Sequence, residues 1–344
     1  MEYGLIFLVS LLASALLTPL ARQLSLRWGF VAEPGGRRRH RGRIPKLGGI
    51  PIFSAFLLAT LLAYYVLVPP ANEREAMLLR GVFWGGLLMF AGGLLDDRWE
   101  LPPGALFLLQ FLGVAVAMGH QVFIQQFTLP FIGFRALDWQ GNILHLLLMF
   151  ILTAGWILGM VNTINFLDGL DGLATGVGAI AALLFAWHHY SLVGESAIAA
   201  FPLALAGALI GFLPFNFAPA RIFLGSAGAY FLGYGLATMS ILAPAKIATA
   251  LLVLAVPIMD VAWQILDRLR RGQSPFRGDR GHLHFRLSDF GLPTRRIVVG
   301  YYVVATVFGL AALFAPTPTS KLVILLLLSA IVFAILVWLT RRAP

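Results

Sequence analysis

The chain is broken into apolar stretches of about 20 residues, the length of helix that crosses the roughly 30 Å hydrocarbon core of a bilayer. Eleven can be marked, at 3–21, 49–68, 78–95, 103–120, 142–163, 172–188, 196–215, 228–243, 246–266, 298–316 and 321–340. Composition bears on the alternative: 59% of the 344 residues are hydrophobic and 12% are charged. A soluble domain is typically about 45–50% apolar and about 25% charged. So few charges cannot cover a water-facing surface, which excludes a soluble enzyme, a secreted domain and a disordered tail. The expected fold is all-α, a polytopic integral membrane protein with a single transmembrane catalytic domain over 1–344. The absence of cysteine removes disulfides, thiolate catalysis and Cys-ligated metals. Glu2 stands where a signal peptide has a positive region, and no small-residue cleavage site follows, so 3–21 reads as a retained helix.

Residues 121–141 carry aromatics, Pro130 and Gly133 with too many polar groups to cross, and read as an external hairpin or re-entrant piece at the interface. Eleven crossings sort the loops into two sets. One set comprises 22–48, 96–102, 164–171, 216–227, 267–297 and the C-terminal tail, and it holds 20 of the 25 Lys and Arg residues. Lys and Arg accumulate on the cytoplasmic side, so this set is expected in the cytoplasm with the C-terminus, and the N-terminus outside. The polar clusters also fall in this set. A transporter would instead place polar groups at midplane on broken helices, whereas an enzyme meeting a soluble substrate at the membrane surface would gather them at one face.

Asp96-Asp97 closes a long apolar helix. Adjacent carboxylates there are opposed by each other and by the helix dipole. They mark either a solvated helix end paired with Arg98 or a site for a hard cation or a proton. Asn162, Asn165, Asp168 and Asp171 recur every third residue as another apolar helix ends. On a helix, such steps make a slowly drifting ridge, and four oxygen-bearing groups suit Mg²⁺ rather than zinc. A plain turn with Asp171 as an N-cap would explain only one of the four. In 216–228, Phe223 could stack on a nucleobase and Asn216 read its edge, although interfacial anchoring by the Phe residues is an equal reading. The string Asp279-Arg280-Gly281-His282-Leu283-His284 reads as a plain solvated loop or as an anion site, and it suits anions better than zinc because its two histidines are too close for the i, i+4 arrangement. The basic run Arg37 to Lys46 could orient the protein, bind anionic lipid or meet substrate.

Taken in order, these motifs resemble the polyprenyl-phosphate N-acetylhexosamine-1-phosphate transferases of glycosyltransferase family 4. The resemblance runs from Pro34 to about Leu287. It comprises His40 with Ile44-Pro45-Lys46-Leu47-Gly48-Gly49, then Asp96-Asp97, Asn162 to Leu173, Asn216 to Gly233, and Asp279 to Leu287. The Asp-Arg-x-His-x-His form of the last motif is similar to the branch that uses UDP-N-acetylglucosamine. The chain departs from the family pattern in three places. Ser226 occupies the place of an aspartate in a Gly-Asp-x-Gly-Ser string, Phe285 that of a further histidine, and Gly104 to Leu106 lack a basic residue.

The resemblance implies transfer of N-acetylglucosamine 1-phosphate, or a related HexNAc 1-phosphate, from the UDP-sugar to undecaprenyl phosphate, with UMP released. It implies Mg²⁺, with Mn²⁺ as an alternative ion, and a place in the bacterial cytoplasmic membrane with the site facing the cytoplasm. Asp96, Asp97, Asp168 and Asp171 would be catalytic, and Asp97, Asp168, Asp171 and the Ser226 position would hold metal. Lys46, Asn162, Asn165, Asn216, Phe223, Asp279, Arg280, His282 and His284 would bind substrate. The expected partners are UDP-N-acetylhexosamine, undecaprenyl phosphate and the lipid bilayer, with a homodimer compatible and no nucleic acid. The departures admit another outcome, a catalytically impaired relative that binds the lipid carrier or a partner protein.

Overall fold

The computed structural model describes residues 1–32, 42–129, 133–138, 141–194, 196–242, 246–273, 281–315 and 317–342. Helix α1 (Glu2–Arg27) is followed by a two-stranded pair, β1 (Val31–Ala32) with β2 (Ile44–Pro45), and by α2 (Gly49–Leu62), which runs on as a π-helical turn, Ala63–Leu67. Then come α3 (Glu73–Trp99), α4 (Pro103–Gly119), a hairpin of β3 (Gln126–Leu129) and β4 (Gly133–Ala136), and α5 (Ile143–Leu167). The rest is α6 (Leu173–Val193), α7 (Ala197–Asn216), α8 (Gly225–Ile241), α9 (Lys246–Val253), α10 (Ala255–Arg270), α11 (Leu283–Asp289), α12 (Thr294–Phe314) and α13 (Pro318–Arg342).

Lipid is as apolar as leucine, so helices in a membrane associate through close packing and interhelical hydrogen bonds rather than through hydrophobicity. The buried stripe of α1 accordingly reads Ile6, Ser10, Ser14, Thr18, Ala21 and Ser25. It lies on Gly207 and Gly211 of α7, where a β-carbon on either glycine would run into the α1 backbone, and Ser10 donates to the Ala204 carbonyl at 2.6 Å. Leucines of α1 such as Leu8, Leu12 and Leu16 face outward. The same logic makes α8 the central helix. From Ala227 to Ser240 it is buried throughout, with Gly85 and Gly93 of α3 receiving Tyr234 and Ala227, and Gly233 lying on Val161 of α5.

Every one of the eleven sequence-marked stretches holds a helix or a helix pair. Among the described residues, eight helices are long and apolar enough to cross a bilayer, and nine if α9 and α10 are one broken span. The expectation of a straight span at 246–266 is corrected, because α9 and α10 meet at a 78° bend. Leu254 leaves helical geometry there, and Pro257 in the first turn of α10 cannot continue the preceding hydrogen-bond ladder. The stretch 121–141 contains the antiparallel hairpin that its polar content suggested. Several loops are shorter than expected: α3 runs through Asp96 and Asp97 to Trp99, α5 runs past Asn165 to Leu167, and α11 forms inside 267–297.

Candidate active site

The segment after α7 is the hub on which the motifs converge. Asn216, the last residue of α7, from which the segment departs, is 1% exposed, accepts a hydrogen bond from the Thr175 hydroxyl at 2.7 Å and donates to the Ile222 carbonyl at 3.0 Å. Its amide therefore closes the loop and ties it to α6, a structural use that leaves it poorly placed to read a base edge. Phe223, half-buried, donates its N–H to the Pro45 carbonyl, and its own carbonyl accepts from Gly48. That backbone clamp seats 44–48 beside the start of α8.

Asp97 meets the hub at the N-terminus of α8. It is 6% exposed, and its two carboxylate oxygens accept the backbone N–H groups of Ser226 and Ala227, each at 3.0 Å. The first amides of a helix have no partner within the helix, and the dipole favours an anion there. Asp97 therefore caps α8 from another helix. Gly225, at φ +75°, makes this approach possible, because a side chain would enter the space of the Lys46 carbonyl and the Asp97 carboxylate. Lys46 is buried and donates through Nζ to the Asp97 carbonyl at 3.0 Å. Asp96, half-buried, accepts from Leu101 N–H at 2.9 Å and from the Tyr230 hydroxyl at 3.2 Å. Arg98 does not pair with these acids. Its guanidinium lies 5.6 Å from the Phe30 ring centre.

A second group gathers where α5 ends. The expected ridge of four polar residues holds for half its length: Asn162 and Asn165 are on α5, whereas Asp168 is its C-terminal cap and Asp171 lies in the following turn. Gly172, at φ +82°, turns the chain into α6, so the helical register ends before the two acids. Asn162 is engaged with Gln110 of α4, donating to its amide oxygen at 2.8 Å. Asp171 accepts from Ala220 N–H at 2.8 Å and so ties this turn to the hub, instead of capping α6. His284 packs over Gly169, where a β-carbon would lie 2.6 Å from its Nε2. His282 and His284 stack with ring centres 5.7 Å apart, and the Phe166 ring stacks on His282 at 5.2 Å.

The structure thus brings Lys46, Asp97 and Ser226 together, and separately sets His284 and its stacked neighbour His282 against the end of α5 and the turn that carries Asp168 and Asp171, with the hub touching both groups. Asp279 and Arg280 lie outside the described residues, as do His40 and the arginines from Arg37 to Arg41. Among the described residues no three His, Asp or Glu side chains form a ready-made metal cage. Mg²⁺, however, is commonly held by one or two carboxylates plus substrate phosphates, and the donors gathered here are largely oxygen, which fits that ion. Sequence reasoning missed Gln110, Tyr230 and Asp260. A signal for the first and last was available, since a carboxamide or carboxylate buried in a membrane helix marks a function by default.

Residues 79–244 match the glycosyl transferase family 4 model. Over 335 residues the chain is 31% identical to the Probable undecaprenyl-phosphate N-acetylglucosaminyl 1-phosphate transferase of Bacillus subtilis (strain 168), covering 95% of this chain and 88% of that protein. The chain belongs to this family. It is also 33% identical to the decaprenyl-phosphate N-acetylglucosaminephosphotransferase of Mycolicibacterium smegmatis, over 100% of this chain and 90% of the relative. With the undecaprenyl-phosphate alpha-N-acetylglucosaminyl 1-phosphate transferase of Escherichia coli (strain K12), identity is 28% over 81% of this chain and 74% of that one.

Proposed function

We propose that the chain transfers N-acetylglucosamine 1-phosphate from UDP-N-acetylglucosamine to undecaprenyl phosphate and releases UMP. The observation that carries this reading is the convergence of motifs far apart in sequence on one loop, 216–227, in a family whose relatives are named for that chemistry. In the reaction a phosphate oxygen of the lipid attacks the sugar-bearing phosphorus, forming one P–O bond and breaking the bond to UMP. A phosphomonoester with a second pKa near 6 is already largely ionised at neutral pH, so the principal task is to bring anions together. Mg²⁺ held by one or two of the site's carboxylates, with Asp97 and Asp168 the candidates, together with the substrate phosphates would neutralise phosphate charge. Lys46 adds a fixed positive charge beside Asp97. The α8 N-terminus positions Asp97, and the stacked rings of Phe166, His282 and His284 form a wall beside the Asp168 turn for the nucleotide sugar. Purified protein given both substrates and Mg²⁺ should release UMP only when the polyprenyl phosphate is present. Folded protein that releases none would remove the proposal.

The 20 to 5 distribution of Lys and Arg supports eleven crossings, with the N-terminus outside and the site at the cytoplasmic face of the cytoplasmic membrane. A single cysteine introduced as Gly278→Cys should react with a membrane-impermeant maleimide only after the cells are opened. Labelling of intact cells would reverse the orientation.

A second reading is favoured by one observation. Ser226 offers a neutral hydroxyl where the family pattern has an acid, which favours a weakened transferase.

A further inference from the structure

Helix α10 carries Asp260, Gln264 and Arg268 at four-residue intervals, which places them along one stripe. All three are buried, at 3%, 2% and 3% exposure. A buried carboxylate, carboxamide and guanidinium are costly unless they are paired. For the first two the partners lie on the stretch that enters α11. Gln264 donates from Nε2 to the Gly281 carbonyl, which Arg286 also approaches, its Nε at 2.5 Å. Asp260 takes the more informative pair: Oδ1 accepts Leu283 N–H at 2.9 Å, and Oδ2 lies 3.0 Å from Nδ1 of His282. Both members of that second contact are almost fully enclosed.

A carboxylate can only accept, so this contact places a proton on Nδ1 of His282. Nε2 makes no hydrogen bond among the described residues. The ring plane is held at the same time by Phe166 on α5 and by His284. His282 is therefore fixed in position, in ring orientation and in the nitrogen that faces the protein. Capping α11 would need only Oδ1, and filling the space would not need a carboxylate. Oriented imidazoles elsewhere owe their correct tautomer to a carboxylate of this kind.

We propose that Asp260 is a positioning residue of the transferase, which holds His282 with Nδ1 protonated so that Nε2 meets the nucleotide sugar in one defined hydrogen-bonding state. The effect on turnover rests on the function proposed above, while the effect on the ring does not. Asp260→Asn separates the two roles of the carboxylate. The amide oxygen can still accept Leu283 N–H, but its NH₂ group would donate to Nδ1 and move the ring proton to Nε2.

The test uses the full-length protein in lipid nanodiscs with ¹⁵N-labelled histidine, the His282 signals being those lost in His282→Gln. Asp260→Asn should convert Nδ1 of His282 from the protonated to the unprotonated ¹⁵N signature. It should lower kcat for UMP release by at least about tenfold while KM for the UDP-sugar stays within about threefold. Asp260→Glu, which keeps a carboxylate, should retain the protonated signature and recover more of kcat than Asp260→Asn does. An unchanged Nδ1 signature in Asp260→Asn overturns the proposal, as does a kcat within about twofold of the unaltered chain. If the unaltered chain itself releases no UMP, the transferase reading fails, and the ¹⁵N signature alone decides whether Asp260 sets the tautomer.

Discussion

Asp97→Asn and Asp168→Asn are each expected to slow UMP release by at least about tenfold, equivalent to about 1.4 kcal/mol of transition-state stabilisation. Both changes keep the bulk of the side chain and remove its charge. At Asp168, the cap of α5, the loss falls on the turn that His284 covers through Gly169. At Asp97 the geometry adds a second consequence. Two N–H groups of α8 share its two oxygens, and asparagine supplies only one acceptor. One buried amide of Ser226 or Ala227 is then left facing an NH₂ group, at a cost of about 1–3 kcal/mol. Asp97→Asn is therefore expected to melt lower than the unaltered chain as well as to turn over more slowly. Thermal melts in detergent and UMP release, measured on the same preparations, check both statements. Near-native turnover in both variants would show that these acids serve architecture and not transfer.

The double role of Asp97 bears on how far the sequence could be read. Apolar run length located every long helix but not the short α11, because the bilayer imposes one length scale on the helices that lie in it. It could not reveal that α8 is central, since a Gly- and Ala-rich helix of 17 residues looks weak until its neighbours are known. Nor could it reveal the bend at Leu254, which follows from a break in the backbone between two apolar pieces. In the site, residue type identified Asp97, Asp168 and the two histidines as candidates. What each one touches was hidden, because the partners are backbone groups and side chains more than a hundred residues away in some cases, as for Asp97 with Ser226. Asn216 illustrates the limit: a carboxamide in a polar loop suggested base reading, and its buried contacts with Thr175 and Ile222 show a brace. Asp260 is the converse case, a buried acid within an apolar stretch whose meaning appears only when α10 is laid against His282.

Ser226→Asp is expected to lower the Mg²⁺ concentration needed for half-maximal UMP release by at least about tenfold, and to raise turnover, because Mg²⁺ favours charged oxygen ligands. Ser226 sits half-buried in the first turn of α8, one residue past the glycine that admits Asp97. An acid there is favoured by the helix dipole, and it would stand beside the carboxylate that already accepts the Ser226 N–H. Without metal the two like charges repel, so Ser226→Asp should melt lower than the unaltered chain in the presence of a chelator. Adding Mg²⁺ should raise its melting temperature more than that of the unaltered chain, since an ion bound between two acids relieves the repulsion it would otherwise leave. Lys46, already donating to the Asp97 carbonyl, is the competing source of positive charge. If Lys46 alone neutralises this corner, the new acid gains nothing from Mg²⁺, and turnover falls at every concentration. Titrating UMP release and melting temperature against Mg²⁺ for both forms separates these cases. A serine form that matches the aspartate form in both titrations would mean that position 226 holds no metal in this chain, and that the remaining carboxylates suffice with the substrate phosphates.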